Sequence, residues 1–99
     1  MFVVIIKPLD GERESVLAAL DRSIPKVHRE PGCELYALHD CGDLFVLIER
    51  WASEEAASKH AAGPAVRTYL EEVAGRIAPS ELHRVTPRPI GNIEKGVVR

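Results

Sequence analysis

The sequence lacks the features that mark several classes of protein. It has no basic excess: thirteen Lys and Arg stand against fifteen Asp and Glu, for a net charge of −2. Nucleic acid and an anionic membrane surface are therefore not expected as partners. The apolar run from Phe2 to Ile6 follows no basic segment and ends at Lys7-Pro8. It is too short for the core of a signal peptide or for a membrane span.

Cysteine is scarce, and no motif for a cofactor is present. Cys33 and Cys41 have no zinc-binding spacing, and a hairpin would place them at opposite ends of one strand, so we expect no disulfide. This usage fits a reduced, cytoplasmic protein. There is no GxGxxG or HExxH motif, and the four histidines have no paired ligand spacing. We therefore expect neither a cofactor nor a metal site.

What the sequence does contain is typical of one small globular domain. Hydrophobic residues make up 45% of the 99 positions and charged residues 28%. Residues 2–7 form a β-branched run that predicts a strand, and a helical period begins at Glu12. Pro25 lies inside that helix and is expected to kink it or divide it in two. Residues 33–40 and 44–51 flank a cluster of turn formers, which predicts an antiparallel hairpin.

The second half of the domain repeats the helix and strand pattern. Ser53 can cap a helix that Gly63-Pro64 ends, and a second helical piece extends to Ile77. Residues 82–86 form a plausible last strand. The order is β-α-β-β-α-β, so we predict an α+β, ferredoxin-like fold with an antiparallel sheet.

The predicted strands are apolar on both faces, whereas the helices of such a fold cover one face only. Strand 2–6 has no polar position. In an antiparallel sheet with one solvated face, apolar and polar residues should alternate along each strand. A bare apolar face of this sheet would be a large exposed patch for a monomer. We therefore predict a homodimer packed sheet against sheet; the alternative is an internal ligand cavity in a monomer. The tail, residues 87–99, keeps four branched apolar residues and is expected to dock on the partner subunit.

Three short pieces, in order, resemble the antibiotic biosynthesis monooxygenase (ABM) domain. They are Glu30-Pro31-Gly32-Cys33-Glu34-Leu35-Tyr36, then Glu49-Arg50-Trp51, then Ala56, His60 and Pro64. The resemblance covers the domain, residues 1–86, without the tail. It implies a dimeric α+β barrel. Relatives of this kind include cofactor-independent oxygenases, an isomerase and haem-degrading enzymes. The haem-degrading members' Asn, Trp and His have no counterparts in the matching stretches, which disfavours that activity.

Three residues are candidates for catalysis. His60 shares a helix face with small alanines and could exchange protons at neutral pH, although a histidine near a helix C-terminus also has a structural use. Tyr36 and Tyr69 could donate hydrogen bonds to a developing oxyanion. For Tyr69, packing on its helix is the competing interpretation.

Three further residues are candidates for substrate binding. Trp51 could stack on a planar ring, or could anchor the helix to the sheet. Phe45 and Leu47 are its apolar neighbours on the same face of the strand. Glu49 shares that face too, and we expect it to be structural, bound to a backbone group or to an arginine other than Arg50.

These residues predict a cofactor-independent monooxygenase that acts on a small quinol-like or enolisable aromatic substrate. Triplet dioxygen needs an electron-rich anion, so such a site needs a base, a dry chamber and anion donors. One alternative is an isomerase or tautomerase that uses the same proton chemistry. Another is a non-catalytic dimeric binding or stress-response module. Ala65, where many ABM proteins have a second histidine after the proline, favours the module.

Overall fold

Four strands and three helices make up the fold of this computed structural model, which describes residues 1–98. In chain order they are β1 (Phe2–Ile6), α1 (Arg13–His28), β2 (Cys33–Asp40), β3 (Phe45–Trp51), α2 (Glu54–Ala61), α3 (Pro64–Val73) and β4 (Glu81–Arg84). The sheet order is β2-β3-β1-β4, and every neighbouring pair is antiparallel. The predicted ferredoxin-like α+β fold is confirmed.

The core lies between the helices and one face of the sheet. In the register of β1 and β3, Val4 pairs with Leu47 and Ile6 with Phe45, so these side chains share a face. Ile6 and Phe45 are buried against Val16 of α1 and Val73 of α3. The apolar side chains that alternate along each strand thus pack against those that recur every three to four residues along the helices, as the sequence pattern predicts.

Helix α1 is one continuous helix, so of the two outcomes predicted for Pro25, a kink or a division, the division is wrong. The proline removes the amide that would bond to the carbonyl of Asp21. Buried side chains nevertheless lie on both sides of it, including Leu20 before it and Val27 after it. Since packing of an apolar face contributes most of a helix's stability in a protein, the burial on both sides offsets one missing hydrogen bond.

The last helix and strand end earlier than the sequence pattern indicates. Helix α3 ends at Val73 because the chain beyond it pairs with the residues after β1: Leu9 N donates to Arg76 O, and Ala78 N to Lys7 O. Strand β4 ends at Arg84, which pairs with Phe2, the first residue of β1. Beyond that pair one further backbone hydrogen bond follows, from Val85 N to Met1 O at 2.9 Å.

Gly32 holds the turn before β2 against the start of α2. Its φ of +83° is a left-handed conformation that favours glycine, and a Cβ there would lie 2.5 Å from Ala56 Cβ. The Gly32 carbonyl also accepts a hydrogen bond of 2.8 Å from Ala52 N. This close approach brings the residues just before Gly32, including Glu30, next to α2.

Gly32→Ala is expected to lower the free energy of unfolding by about 2–4 kcal/mol, because it adds a clash with Ala56 to the cost of a positive φ. The matched control is Gly42→Ala in the hairpin turn, where φ is +77° and nothing lies within 4 Å of the new Cβ. Urea denaturation of both variants separates the two costs. Equal losses of stability in the two variants would contradict the close approach.

The other face of the sheet carries a central apolar patch, defined here as Val3, Ile5, Val46 and Ile48. The register pairs Val3 with Ile48 and Ile5 with Val46, and all four side chains are partly exposed. In the tail, Ile90, Ile93 and Val98 are exposed as well. No helix among residues 1–98 has the length and apolar character needed to cross a membrane.

Candidate active site

A cavity of about 410 Å³ opens between the helix layer and the sheet. Its walls are mostly apolar: Val4 and Leu47 come from the sheet, and Val66 from α3. Leu70 and Leu82 also line it and are exposed, so they mark its open side. Both its volume and its lining are typical of a site for a small organic ligand.

His60 is the buried imidazole of this cavity. Ser53 caps α2 by accepting a hydrogen bond from Ala56 N, and His60 lies near the other end of that helix with 8% of its surface exposed. Its Nδ1 lies 2.6 Å from Glu30 Oε1. Because an ionised carboxylate only accepts hydrogen bonds, Nδ1 carries a proton and Nε2 is the atom left for a ligand.

Trp51 and Glu49 lie on the other side of the imidazole. The Trp51 and His60 rings stack with centroids 4.5 Å apart and an interplanar angle of 28°. Trp51 Nε1 donates a 2.9 Å hydrogen bond to Glu49 Oε1, which lies 3.9 Å from His60 Nε2. The prediction that Glu49 binds a backbone group or an arginine is therefore wrong. Its partner is the residue two positions along the same strand face, while Arg50 pairs with Glu34 on the opposite side.

Two phenols complete the polar part of the cavity. Tyr36 packs edge-to-face on His60, with ring centroids 5.2 Å apart. Burial, reinforced by the charge of Glu49, raises its pKa far above the ordinary value. Burial also raises the pKa of Tyr69 to about 12. Both groups therefore keep their protons at neutral pH and can donate hydrogen bonds.

Tyr69 is unusual because its buried hydroxyl has no hydrogen-bond partner among residues 1–98. Leaving such a group unpaired costs about 1–3 kcal/mol, and a ligand that accepts its hydrogen bond would recover part of that cost. Tyr69→Phe is therefore expected to leave the free protein as stable as before, or up to about 1 kcal/mol more stable, while it weakens ligand binding. Thermal unfolding with and without a bound quinone measures both effects. A large loss of stability in the free variant would contradict this interpretation.

The structure brings five of the six predicted site residues to one cavity, and these are Tyr36, Leu47, Trp51, His60 and Tyr69. Phe45 is not among the lining residues. It is 1% exposed, lies in the core, and has the Arg13 guanidinium 4.9 Å from its ring centroid. It shares a strand face with Leu47, but it pairs with Ile6 at the hairpin end of the sheet, away from Trp51. The prediction that Phe45 contacts substrate is therefore not supported.

Glu30 is the residue of the site that the sequence analysis did not assign. It stands directly before Pro31-Gly32, where the pattern predicts only a turn. Thirty positions separate it from His60, and no local pattern links the two. The signal available was the resemblance itself, since both residues belong to the pieces that carry it.

Comparison with known proteins agrees with this fold. The sequence profile of the family described as "Antibiotic biosynthesis monooxygenase" matches residues 1–72. The chain is 28% identical over 92 residues to "Probable quinol monooxygenase YgiN" of Escherichia coli K12, covering 82% of this chain and 88% of that protein.

Solved structures share the same architecture. Rv0793 from Mycobacterium tuberculosis superposes with a TM-score of 0.82 at 26% identity, covering 92% of this chain and 96% of that one. PA3566 from Pseudomonas aeruginosa gives a TM-score of 0.76 at 21% identity, covering 86% and 92%. With the family profile spanning more than two thirds of its length, this chain belongs to the antibiotic biosynthesis monooxygenase family.

Proposed function

We propose that this protein is a cofactor-independent monooxygenase for a small quinol-like or enolisable aromatic substrate. The observation that carries the proposal is the buried His60, oriented by Glu30 and stacked on Trp51 in an apolar cavity. An imidazole with a fixed tautomer next to a planar aromatic surface suits a substrate that must lose a proton while its ring is held.

The chemistry needs dioxygen as the only co-reactant. Loss of a hydroxyl proton leaves the electron pair on the substrate, and this anion passes one electron to dioxygen. The two radicals combine into a carbon-bound peroxide, which takes a proton. The carbon then loses its hydrogen as a proton and the O–O bond breaks. The distal oxygen leaves as water and the proximal one remains as a carbonyl, so a quinol and O₂ give a hydroxyquinone and H₂O.

Each group of the cavity has a role in this series of reaction steps. His60 Nε2 faces the hydroxyl that loses its proton, and Trp51 and Leu47 hold the ring. Tyr36 and Tyr69 donate to the oxygen that becomes negative, because burial keeps both phenols protonated. The apolar walls exclude water, which strengthens these interactions.

The site also favours an enzyme over a non-catalytic module. A cavity filled by side chains would indicate the module, whereas the 410 Å³ space beside His60 is not filled. Ala65 occupies the position where many relatives have a second histidine, so we assign proton transfer to the cluster around His60 alone. An isomerase would use the same groups without oxygen.

We further propose that two copies form a homodimer through the apolar patch of the sheet, with tail residues 87–99 lying across the partner. The family is typically dimeric. Four partly exposed apolar residues on one sheet face, together with exposed apolar residues in the tail, support this arrangement. Arg99 lies outside the described residues. The cytoplasm is the expected compartment, since Cys33 and Cys41 are both free.

The experiment that tests the reaction is oxygen uptake with 1,4-naphthohydroquinone, a reduced two-ring quinone. An oxygen electrode and product analysis by chromatography are run together, with the rate of autoxidation subtracted. We expect one O₂ consumed for each hydroxyquinone formed. Product formed by proton shift alone, without oxygen uptake, would identify the isomerase instead.

A further inference from the structure

The Glu49 carboxylate is a buried charged group to which the chemistry above gives no role. It is 7% exposed and lines the cavity. Within residues 1–98 its hydrogen bond comes from Trp51 Nε1 alone. An ionised carboxylate offers about four acceptor positions, so most of the acceptor capacity of Glu49 is unused. A buried carboxylate in that state calls for a further donor.

The position of Glu49 relative to His60 indicates what that donor is. Glu49 Oε1 and His60 Nε2 are 3.9 Å apart, too far for a direct hydrogen bond. One oxygen atom about 2.8 Å from each would bridge them, with an angle of about 90° at that oxygen. Both residues line the cavity, so a substrate hydroxyl can reach this point.

The protons on such a hydroxyl can be arranged in one way. The carboxylate only accepts, so the hydroxyl donates its proton to Glu49, and His60 Nε2 must then donate to the hydroxyl oxygen. This requires a proton on both imidazole nitrogens. Nδ1 already holds its proton in the 2.6 Å hydrogen bond to Glu30, so the additional proton is the one at Nε2.

We propose that Glu49 is the general base of the site and that doubly protonated His60 is the hydrogen-bond donor beside it. The inference rests on the proposed function and assigns the direction of its proton transfers. The substrate O–H proton moves to Glu49 Oε1, and the electron pair stays on the substrate oxygen, where His60 Nε2–H stabilises it. After dioxygen adds, Glu49 returns that proton to the peroxide.

The test compares Glu49→Gln and Glu49→Asp with the unmodified protein, using 1,4-naphthohydroquinone across pH. The titratable groups around Glu49 are His60 on α2, Tyr36 on β2, Cys33 at its start, and Glu30 beyond the imidazole. Glu49→Gln keeps the shape and loses the charge. We expect kcat to fall about a hundredfold or more, KM to change less than threefold, and the acidic limb of the pH profile to disappear.

Glu49→Asp keeps the charge but draws it back by about 1.5 Å, one C–C bond. If Glu49 is the base, its carboxylate must reach the substrate hydroxyl, and kcat of Glu49→Asp should fall at least tenfold. If the carboxylate is merely structural, kcat should fall little. The control is Glu55→Gln, an exposed position on α2 paired with Lys59, which should leave kcat unchanged. Quenching of Trp51 fluorescence by 1,4-naphthoquinone reports whether each variant keeps the site, since Trp51 is the single tryptophan.

Besides an unchanged kcat for Glu49→Asp, two outcomes overturn the inference. One is a Glu49→Gln variant that turns over within threefold of the unmodified protein and keeps the acidic limb. The other is a variant that no longer binds the quinone, which makes the role of Glu49 structural. Either would leave the monooxygenase proposal standing. A lack of oxygen uptake by the unmodified protein would instead remove the proposed function itself.

Discussion

Replacing His60 with alanine is expected to lower kcat for naphthohydroquinone oxidation by a factor of about 10² to 10⁴, the usual contribution of a positioned acid–base or anion-stabilising group. The imidazole forms a hydrogen bond with Glu30, lies near Glu49 and stacks on the Trp51 ring. An alanine methyl group can replace none of these interactions. Oxygen uptake at saturating substrate measures the effect on kcat directly.

The matched control is Lys59→Ala, one position earlier on α2. Lys59 is exposed and pairs with Glu55, so its loss tests the helix without touching the cavity. The Lys59→Ala variant should oxidise naphthohydroquinone at the same rate as the unmodified protein. Addition of free imidazole should restore part of the activity of His60→Ala. Turnover of His60→Ala within threefold of the unmodified protein would exclude a catalytic role for this residue.

Replacing Ile48 with aspartate is expected to convert the proposed homodimer to a monomer at micromolar concentration. Ile48 lies in the apolar patch, beside Val3 of β1 and Ala37 of β2. A carboxylate there would be buried without a partner in a sheet-to-sheet interface, at a cost of several kcal/mol. Light scattering should show the mass fall from twice 10.9 kDa to 10.9 kDa.

The control for charge alone is Thr68→Asp, which adds the same carboxylate to the exposed side of α3, away from the patch. It should remain dimeric. Ending the chain at Thr86 tests the tail with the same measurement, and we expect the dimer dissociation constant to rise at least tenfold. A mass of 10.9 kDa for the unmodified protein would contradict the dimer itself.

Local patterns in the sequence predict most of the fold. The β-branched run at residues 2–6, the turn formers between β2 and β3, and Ser53 at the start of α2 each act over a few neighbouring positions. Pro25 shows the limit of this reasoning: the propensity of one residue predicts a break, but burial of Leu20 and Val27 keeps the helix whole.

The site could be predicted only in part, because its contacts join distant residues. His60 and Trp51 stand out as residue types, whereas the Glu30–His60 pair depends on how closely Gly32 approaches α2. Phe45 illustrates the opposite error. Its strand face was predicted correctly, but its position along the strand places it under α1, in the core rather than in the cavity.

Labelling with ¹⁸O₂ tests the central claim most directly. The unmodified protein is supplied with 1,4-naphthohydroquinone under ¹⁸O₂, with His60→Ala run in parallel as the impaired variant. Mass spectrometry should find one ¹⁸O atom in the hydroxyquinone and the second in water. A product that forms at an enzyme-dependent rate but carries no ¹⁸O, or a rate no faster than that of His60→Ala, would contradict the assignment as a monooxygenase.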